Sequence, residues 1–326
     1  MKKFVRACLL ALPVLLGLHA APTLAQANYP NKPVRWIVPY PAGGGSDFLA
    51  RTISQAWATS SGQTVVIDNK PGGNTAIGAV ETVRSAPDGY TILSADNGTM
   101  VFNPALYSKL SYDPVKDLAP VTLMGRFPMI LVVGPGSDAK DAKDFIAKAK
   151  ARPGSINYGS AGAGSPHHLA MEMLKVEAKL HLVHIPYRGA APALADLVGG
   201  QIPAMMVDMA AGAGFIKAGK VRPLAVANPT RLPQLPEVPT FAEIGLKNVE
   251  AAALVGLVAP AGTPADVVNS LQKQIAAAIA QPAVKQRLID FGVEPVGNTP
   301  REYTELLRKE TVRWHRIIKD QGISLD

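Results

Sequence analysis

Two glycine-rich loops, Pro41-Ala42-Gly43-Gly44-Gly45-Ser46-Asp47 and Gly159-Ser160-Ala161-Gly162-Ala163-Gly164-Ser165-Pro166, each lie between a strand pattern and a helix pattern. A chain that turns this way aims backbone N–H groups and the positive end of a helix at one spot. Such a spot holds an anion without needing a basic side chain. Two of them, far apart in sequence, point to a cleft that grips one anionic group from both sides.

Strand and helix patterns alternate along the chain. Val34 to Pro39 reads as a buried strand. Ser46 or Asp47 is placed to cap the next helix, where Phe48, Leu49, Thr52, Ile53, Ala56 and Trp57 recur at helical spacing. Val65 to Asp68 is a strand, and a third glycine loop, Pro71-Gly72-Gly73-Asn74, leads into a helix from Ala76 to Arg84. Tyr90 to Ala95 is a strand. Val121 to Leu123 and Ile130 to Val133 are strand-like, with Gly125 to Pro128 between them. A helix over Asp138 to Lys150 precedes a strand at Ile156 to Tyr158, which feeds the second loop. Ser165 then caps a helix with Pro166 at its first position. Strands at Leu182–Ile185, Ile202–Asp208, Arg222–Ala227 and Ala253–Ala259 follow, with helices at Ala190–Val198 and Phe215–Ala218. Three helices close the chain, over Pro264–Gln281, Ala283–Phe291 and Pro300–Lys319. This alternation predicts α/β layers on mostly parallel sheets, with ligands bound beyond the carboxyl ends of the strands, where the glycine loops lie.

Lys2, Lys3 and Arg6 followed by the apolar stretch Cys8 to Ala21 and the small-x-small Ala25-Gln26-Ala27 read as a cleavable secretory signal over residues 1–27. The expected compartment is therefore the periplasm, with a mature chain starting near Asn28. Cys8 is the sole cysteine, so beyond the signal no disulfide, thiolate nucleophile or cysteine metal site is expected. Lys and Arg number 33 against 25 Asp and Glu, a balance that suits steering of a small anion. No cluster of basic and aromatic residues marks a nucleic-acid module, and nucleic acid is not an expected partner.

Enzyme readings find little support. Gly159-x-x-Gly162-x-Gly164 is not the dinucleotide fingerprint, and no loop ends in the Gly-Lys-Ser/Thr of a phosphate-binding P-loop. Gly164-Ser165-Pro166 lacks the nucleophile-elbow pattern, so Ser165 reads as a helix cap. His167 and His168 are adjacent and point different ways on a helix, while His181 and His184 face opposite sides of a strand. One of the first pair is expected to hydrogen-bond a loop, and no metal or other cofactor is expected. Arg188 is a candidate fork onto a carboxylate or else a surface ion pair. Asp208 either accepts from a ligand or caps the following turn.

The chain resembles the extracytoplasmic solute receptors of tripartite tricarboxylate transporters, the Bug family. The resemblance rests on Tyr29-Pro30-Asn31-Lys32-Pro33-Val34 with Val38-Pro39-Tyr40-Pro41 and the first glycine loop, on Asp68-Asn69-Lys70-Pro71-Gly72, and on Pro87-Asp88-Gly89-Tyr90-Thr91. It continues through Leu106-Tyr107, Tyr112-Asp113-Pro114, Gly164-Ser165 with His168-Leu169, and Pro186-Tyr187-Arg188-Gly189 to Gln201. Val238-Pro239-Thr240-Phe241 and Ala259-Pro260-Ala261-Gly262-Thr263-Pro264 complete it. The order of these pieces covers essentially the whole mature chain.

The resemblance implies a two-domain Venus-flytrap fold with two hinge-crossing strands and no catalysis. Residues 28–128 with 253–326 would form domain 1, and 129–252 domain 2. The loops would act as pincers on a ligand carboxylate. The implied ligand-binding set is Ala42, Gly43, Gly44, Ser46, Asp47, Phe48, Asn97, Ser160, Ala161, Gly162, Gly164, Ser165, His168, Arg188 and Asp208. Expected partners are a small carboxylate, among them a di- or tricarboxylate or an aromatic acid, and the membrane subunits of a tripartite transporter, with the receptor itself a monomer. The alternative role is a periplasmic carboxylate sensor that presents its ligand to a signalling protein. Departures from the family pattern at Leu254, Met129 and Met209-Ala210-Ala211-Gly212 suggest a more apolar distal wall, to which Phe48, Met129 and Met209 are candidate contributors.

Overall fold

The structure is a computed structural model that describes residues 29–326; the signal-peptide reading over 1–27 lies outside the described residues. The first half of the chain runs β1 (Val34–Val38), α1 (Gly45–Ser61), β2 (Val65–Asn69), α2 (Ala76–Val83), β3 (Thr91–Asp96), α3 (Asn103–Leu106) and β4 (Leu118–Val133). It continues through α4 (Ala142–Ala151), β5 (Asn157–Ser160), α5 (Pro166–Ala178), β6 (Val183–Pro186), α6 (Ala190–Val198), β7 (Ala204–Asp208), α7 (Met209–Lys217) and β8 (Arg222–Val226). The last part is β9 (Ala252–Pro260), α8 (Ala265–Ala280), α9 (Pro282–Asp290), β10 (Glu294–Pro295) and α10 (Pro300–Asp320).

The strands join in the order β2-β1-β3-β9-β4-β7-β5-β6, with β8 and β10 also on β4. Pairing is parallel in each wing, β2-β1-β3 and β7-β5-β6, as right-handed strand–helix–strand units require. Every pairing made by β4 and β9 is antiparallel, so the sheet is mixed rather than mostly parallel. β9 returns from the far wing against the direction of β3, which reverses its sense.

β4 is the element that sequence reading split. It runs unbroken through Gly125 to Pro128 because partners line both stretches. Leu118 to Pro128 pairs with β9, and Met129 to Val133 pairs with β7 and β8. The strand thus changes partners at Pro128/Met129 and ties the two wings together.

Residues on the two faces of β4 serve different cores. Met129, Leu131 and Val133 face one continuous core containing Phe102, Tyr158, Leu169 and Trp314. Ile130 and Val132 face a second core with Leu194, Leu197, Met205 and Val207. This period of two explains why Met-Ile-Leu-Val-Val is apolar without interruption: both faces are covered. The first wing has its own core on the other face, built from Trp36, Leu49, Ile53, Trp57 and Leu257. α10 lays Tyr303, Leu307, Trp314 and Ile318 on the shared core, with the Trp314 ring edge-on to Phe102 at 5.1 Å. Its Thr299–Glu302 capping box and Pro300 fix where it starts. No helix among the described residues is long and apolar enough to cross a membrane.

Candidate functional site

The first glycine loop is held by an internal carboxylate. Gly43 takes φ +89°, a conformation that glycine tolerates best, and its N–H donates to Asp47 Oδ2 at 2.9 Å. Arg51 Nε donates to the same oxygen at 2.9 Å, and Asn69 Nδ2 donates to Oδ1 at 2.9 Å. Burial alone would raise the Asp47 pKa, but these donors together hold it below the usual carboxylate value. The expected cap at Ser46 or Asp47 is corrected: Gly44 occupies the cap position, and Asp47 sits within the first turn as the loop's brace. With both oxygens engaged, Asp47 positions the loop. The N–H groups of Gly45, Ser46 and Asp47 open α1 and have no intrahelical acceptor. Ser46 Oγ is buried and has no hydrogen-bond partner among the described residues.

The second loop is held by a buried polar stack. Ser165 caps α5 as expected, accepting from His168 N at 3.2 Å. His168 Nδ1 accepts the Gly164 N–H at 3.1 Å, which makes His168 the histidine that bonds the loop. Ser160 Oγ bonds His184 Nε2 at 2.6 Å and accepts the Gly162 N–H at 3.1 Å. The His168 and His184 rings stack at 3.9 Å. Behind them lies buried Glu172, which bonds the Tyr158 hydroxyl and accepts from Lys175 Nζ at 2.7 Å. Burial, with Lys175 nearby, pushes the His168 pKa down to about 4; burial, with His168 nearby, pushes His184 down to about 3. Both rings are neutral at neutral pH, so the acceptor that His168 offers Gly164 is permanent there. Gly162, Gly164 and Ser165 therefore spend their N–H groups within the loop. The N–H groups of Ala161, Ala163 and His167 find no acceptor within the loop, and the Ser165 hydroxyl keeps its proton for a further acceptor.

A third helix start joins the two loops. Asp208, at the end of β7, caps α7 by accepting from Ala211 N at 3.0 Å, and this is why α7 begins at Met209 rather than near Phe215. Its other oxygen faces His167 Nε2 at 3.0 Å. A Cβ built on Gly45 would stand 3.5 Å from Ala210 Cβ and 3.2 Å from the Phe127 ring. The N-termini of α1, α5 and α7 thus converge around residues 208–210. Gly45 leaves room there for little more than a methyl group, and a larger side chain would enter that seam.

Other expected residues have different surroundings. Asn97 is buried and donates to Ala252 O at 3.0 Å while accepting from Leu254 N at 3.1 Å, so it pins the start of β9. Asn97→Ala leaves two buried backbone groups without partners, and a loss of about 2–4 kcal/mol is expected in urea unfolding on the scale of such groups. Arg188 is exposed and makes no ion pair or hydrogen bond among the described residues. Phe48 stacks on Phe291 at 3.6 Å with the Arg287 guanidinium 5.3 Å from its ring, and Met129 is core. Met209 is buried against Gly292. Ala42 stands exposed at the tip of the first loop.

Two contributors escaped the sequence reading. Asn74, in the third glycine loop, stands 3.3 Å from a Cβ built on Gly164 and exchanges hydrogen bonds with Asn103 at 2.9 and 2.7 Å. Both Asn74 and Thr75 take positive φ, +48° and +75°, so this loop is held in a costly shape. The Gly72-Gly73-Asn74 signal was visible, but not its meeting with the second loop. His167 is the other: its bond to Asp208 spans 41 residues, a pairing that spacing cannot reveal.

Residues 49–323 match the Tripartite tricarboxylate transporter family receptor. The protein BugT of Bordetella pertussis (strain Tohama I) is 34% identical over 307 residues, covering 94% of each chain. An adipate-bound R. palustris protein superposes with a TM-score of 0.84 at 33% identity, covering 91% of this chain and 99% of that one. MatC of Rhodopseudomonas palustris with bound malate gives 0.79 at 32% identity, covering 89% and 100%. The mixed sheet tied by β4 is the periplasmic-binding-protein flytrap that these relatives share. The chain belongs to the tripartite tricarboxylate transporter receptor family, whose members bind a solute and perform no chemistry on it.

Proposed function

We propose that this chain is a periplasmic receptor that closes on a small organic carboxylate and delivers it to the membrane subunits of a tripartite transporter. The observation that carries this reading is the convergence of the α1, α5 and α7 N-termini, where backbone N–H groups lack intrahelical acceptors. No basic side chain is required there, and neither glycine loop contains one. The adipate and malate in relatives of similar fold fit the same chemistry. The two closing bodies are residues 28–128 with 253–326 and residues 129–252. The partner switch in β4 at Pro128/Met129 and the start of β9 at Ala252 support that division. The chain acts as a monomer exported by its 1–27 leader.

A thermal-shift panel of the mature chain tests the reading. Succinate, adipate, malate, citrate, benzoate and an amino acid each at millimolar concentration make a sufficient set. A carboxylate present at about a thousand times its Kd stabilises by about 4 kcal/mol, several degrees of Tm for a protein of this size. A Tm that no carboxylate moves contradicts the receptor reading.

A further inference from the structure

Residues 323–326 turn back from the end of α10 and dock beside the second glycine loop. Gly322 takes φ +60° and stops the helix, and the Ile323 N–H donates to Ile318 O at 3.0 Å. The Leu325 N–H donates to Leu106 O, at the last residue of α3, at 2.8 Å. The Asp326 carboxylate accepts the Ser108 N–H at 2.9 and 3.0 Å. The side chains of Ile323 and Leu325 are half-buried against the core that Leu106 and Ile318 line. These residues form a strap fastened to α3 by backbone and carboxylate bonds.

The strap reaches Gly164. A Cβ built on that glycine would stand 2.7 Å from Leu106 Cδ1, 2.9 Å from Leu325 Cδ1 and 3.3 Å from Asn74 Nδ2. Gly164 also takes φ +74°, so a bare backbone lies in this seat and no side chain fits there. On the proposed division, Asn74, Leu106 and Leu325 belong to one body and Gly164 to the other. The Gly164 N–H is held from within its own body by His168 Nδ1 at 3.1 Å. Leu106 is 1% exposed and fixed in the core, and Asn74 is tied to Asn103. Leu325 is the half-buried member of the seat, so its side chain can be shortened without opening the core.

We propose that Leu325 positions the second glycine loop in the closed receptor, and that residues 323–326 form a latch that sets how fast a bound carboxylate leaves. This inference rests on the carboxylate-receptor reading and its two closing bodies. An anion enters an open cleft, in which Leu325 and Gly164 are apart. Their contact forms on closure and breaks before release, so losing it acts on the opening step. The contact is apolar and needs no ligand atom. It raises affinity by favouring the closed state, in which both loops meet the anion.

Stopped-flow kinetics with the tightest binder among succinate, adipate, malate, citrate and benzoate test this. Leu325→Ala keeps the backbone bond to Leu106 O and removes only the side chain that reaches Gly164. It is expected to raise the dissociation rate about fivefold, the scale of losing a few part-buried apolar groups. The association rate should stay within about twofold of native, and the Tm without ligand within a few degrees. Asp326→Ala unfastens the strap from Ser108 and should speed release about two- to threefold. The double variant is expected to fall short of the product of the two effects, because both act through one latch. Slower association together with a clearly lower ligand-free Tm marks a merely structural role and overturns the proposal. A native dissociation rate in Leu325→Ala also overturns it. Either result leaves the receptor reading standing. If none of these acids binds the native protein, both readings fall.

Discussion

Replacing Gly45 by leucine is expected to weaken carboxylate binding by about 100-fold or more, while the free protein unfolds within a few degrees of the native Tm. A Cβ at this position already stands 3.2 Å from the Phe127 ring and 3.5 Å from Ala210 Cβ. Three further carbons must push the start of α7 away from the start of α1. The two helices belong to opposite bodies of the proposed flytrap, so the molecule can relieve the clash by opening rather than unfolding. Opening removes the second set of N–H groups from the anion. Gly45→Ala asks its neighbours to yield only by tenths of an ångström and should cost less than about tenfold. Calorimetry of both variants, with small-angle scattering of the leucine variant, checks this: its radius of gyration should stay large at ligand concentrations that compact the native protein. Native affinity in Gly45→Leu rules out closure across this seam.

Acid is expected to destabilise the protein well above the pH at which its carboxylates titrate. His168 and His184 are held down to about 4 and about 3, whereas an unfolded histidine titrates near 6.5. Unfolding therefore takes up protons between pH 6.5 and 4. The stabilising contribution is full above pH 6.5 and is lost as the pH falls through that window. At about 1.4 kcal/mol per pH unit, buried His168 alone accounts for about 2 kcal/mol between pH 7.5 and 5. Less buried His184 adds a smaller amount. Binding should weaken only as the pH falls toward about 4, where folded His168 gains a proton on Nδ1 and no longer accepts the Gly164 N–H that shapes the second loop. Urea unfolding at pH 7.5, 6 and 5 measures the effect, and the double change His168→Asn with His184→Asn should flatten it. A native protein equally stable at pH 7.5 and 5 disproves the buried neutral pair.

The sequence was most informative where structure is local. The strand–loop–helix order around Gly43 and Gly162, the Ser165 cap and the Pro300 helix start follow from neighbouring residues, as turns and caps do. Long-range features were not legible. Gly125 and Pro128 read as breakers, yet β4 passes through them because β9 and β10 offer partners. The antiparallel sense of β9 depends on where the chain re-enters the sheet, which no local pattern encodes. Asp47 read as a possible helix cap, and Asn97 entered only through the family resemblance. Their tasks, bracing a loop and pinning β9, were hidden because the partners include Asn69, Ala252 and Leu254. Arg188 read equally as a carboxylate fork or a surface ion pair, and it lies exposed with no ion pair among the described residues, a placement that its chemistry alone does not fix.

The central claim is that backbone N–H groups of the two glycine loops hold the carboxylate. Amide resonances of the 15N-labelled mature protein, recorded while the tightest acid of the panel is titrated in, test it directly. The account predicts large saturable shifts at Gly45, Ser46, Ala161, Ala163 and His167, with the Arg188 side chain little changed. Saturable shifts that spare both loops and centre on Arg188 contradict it.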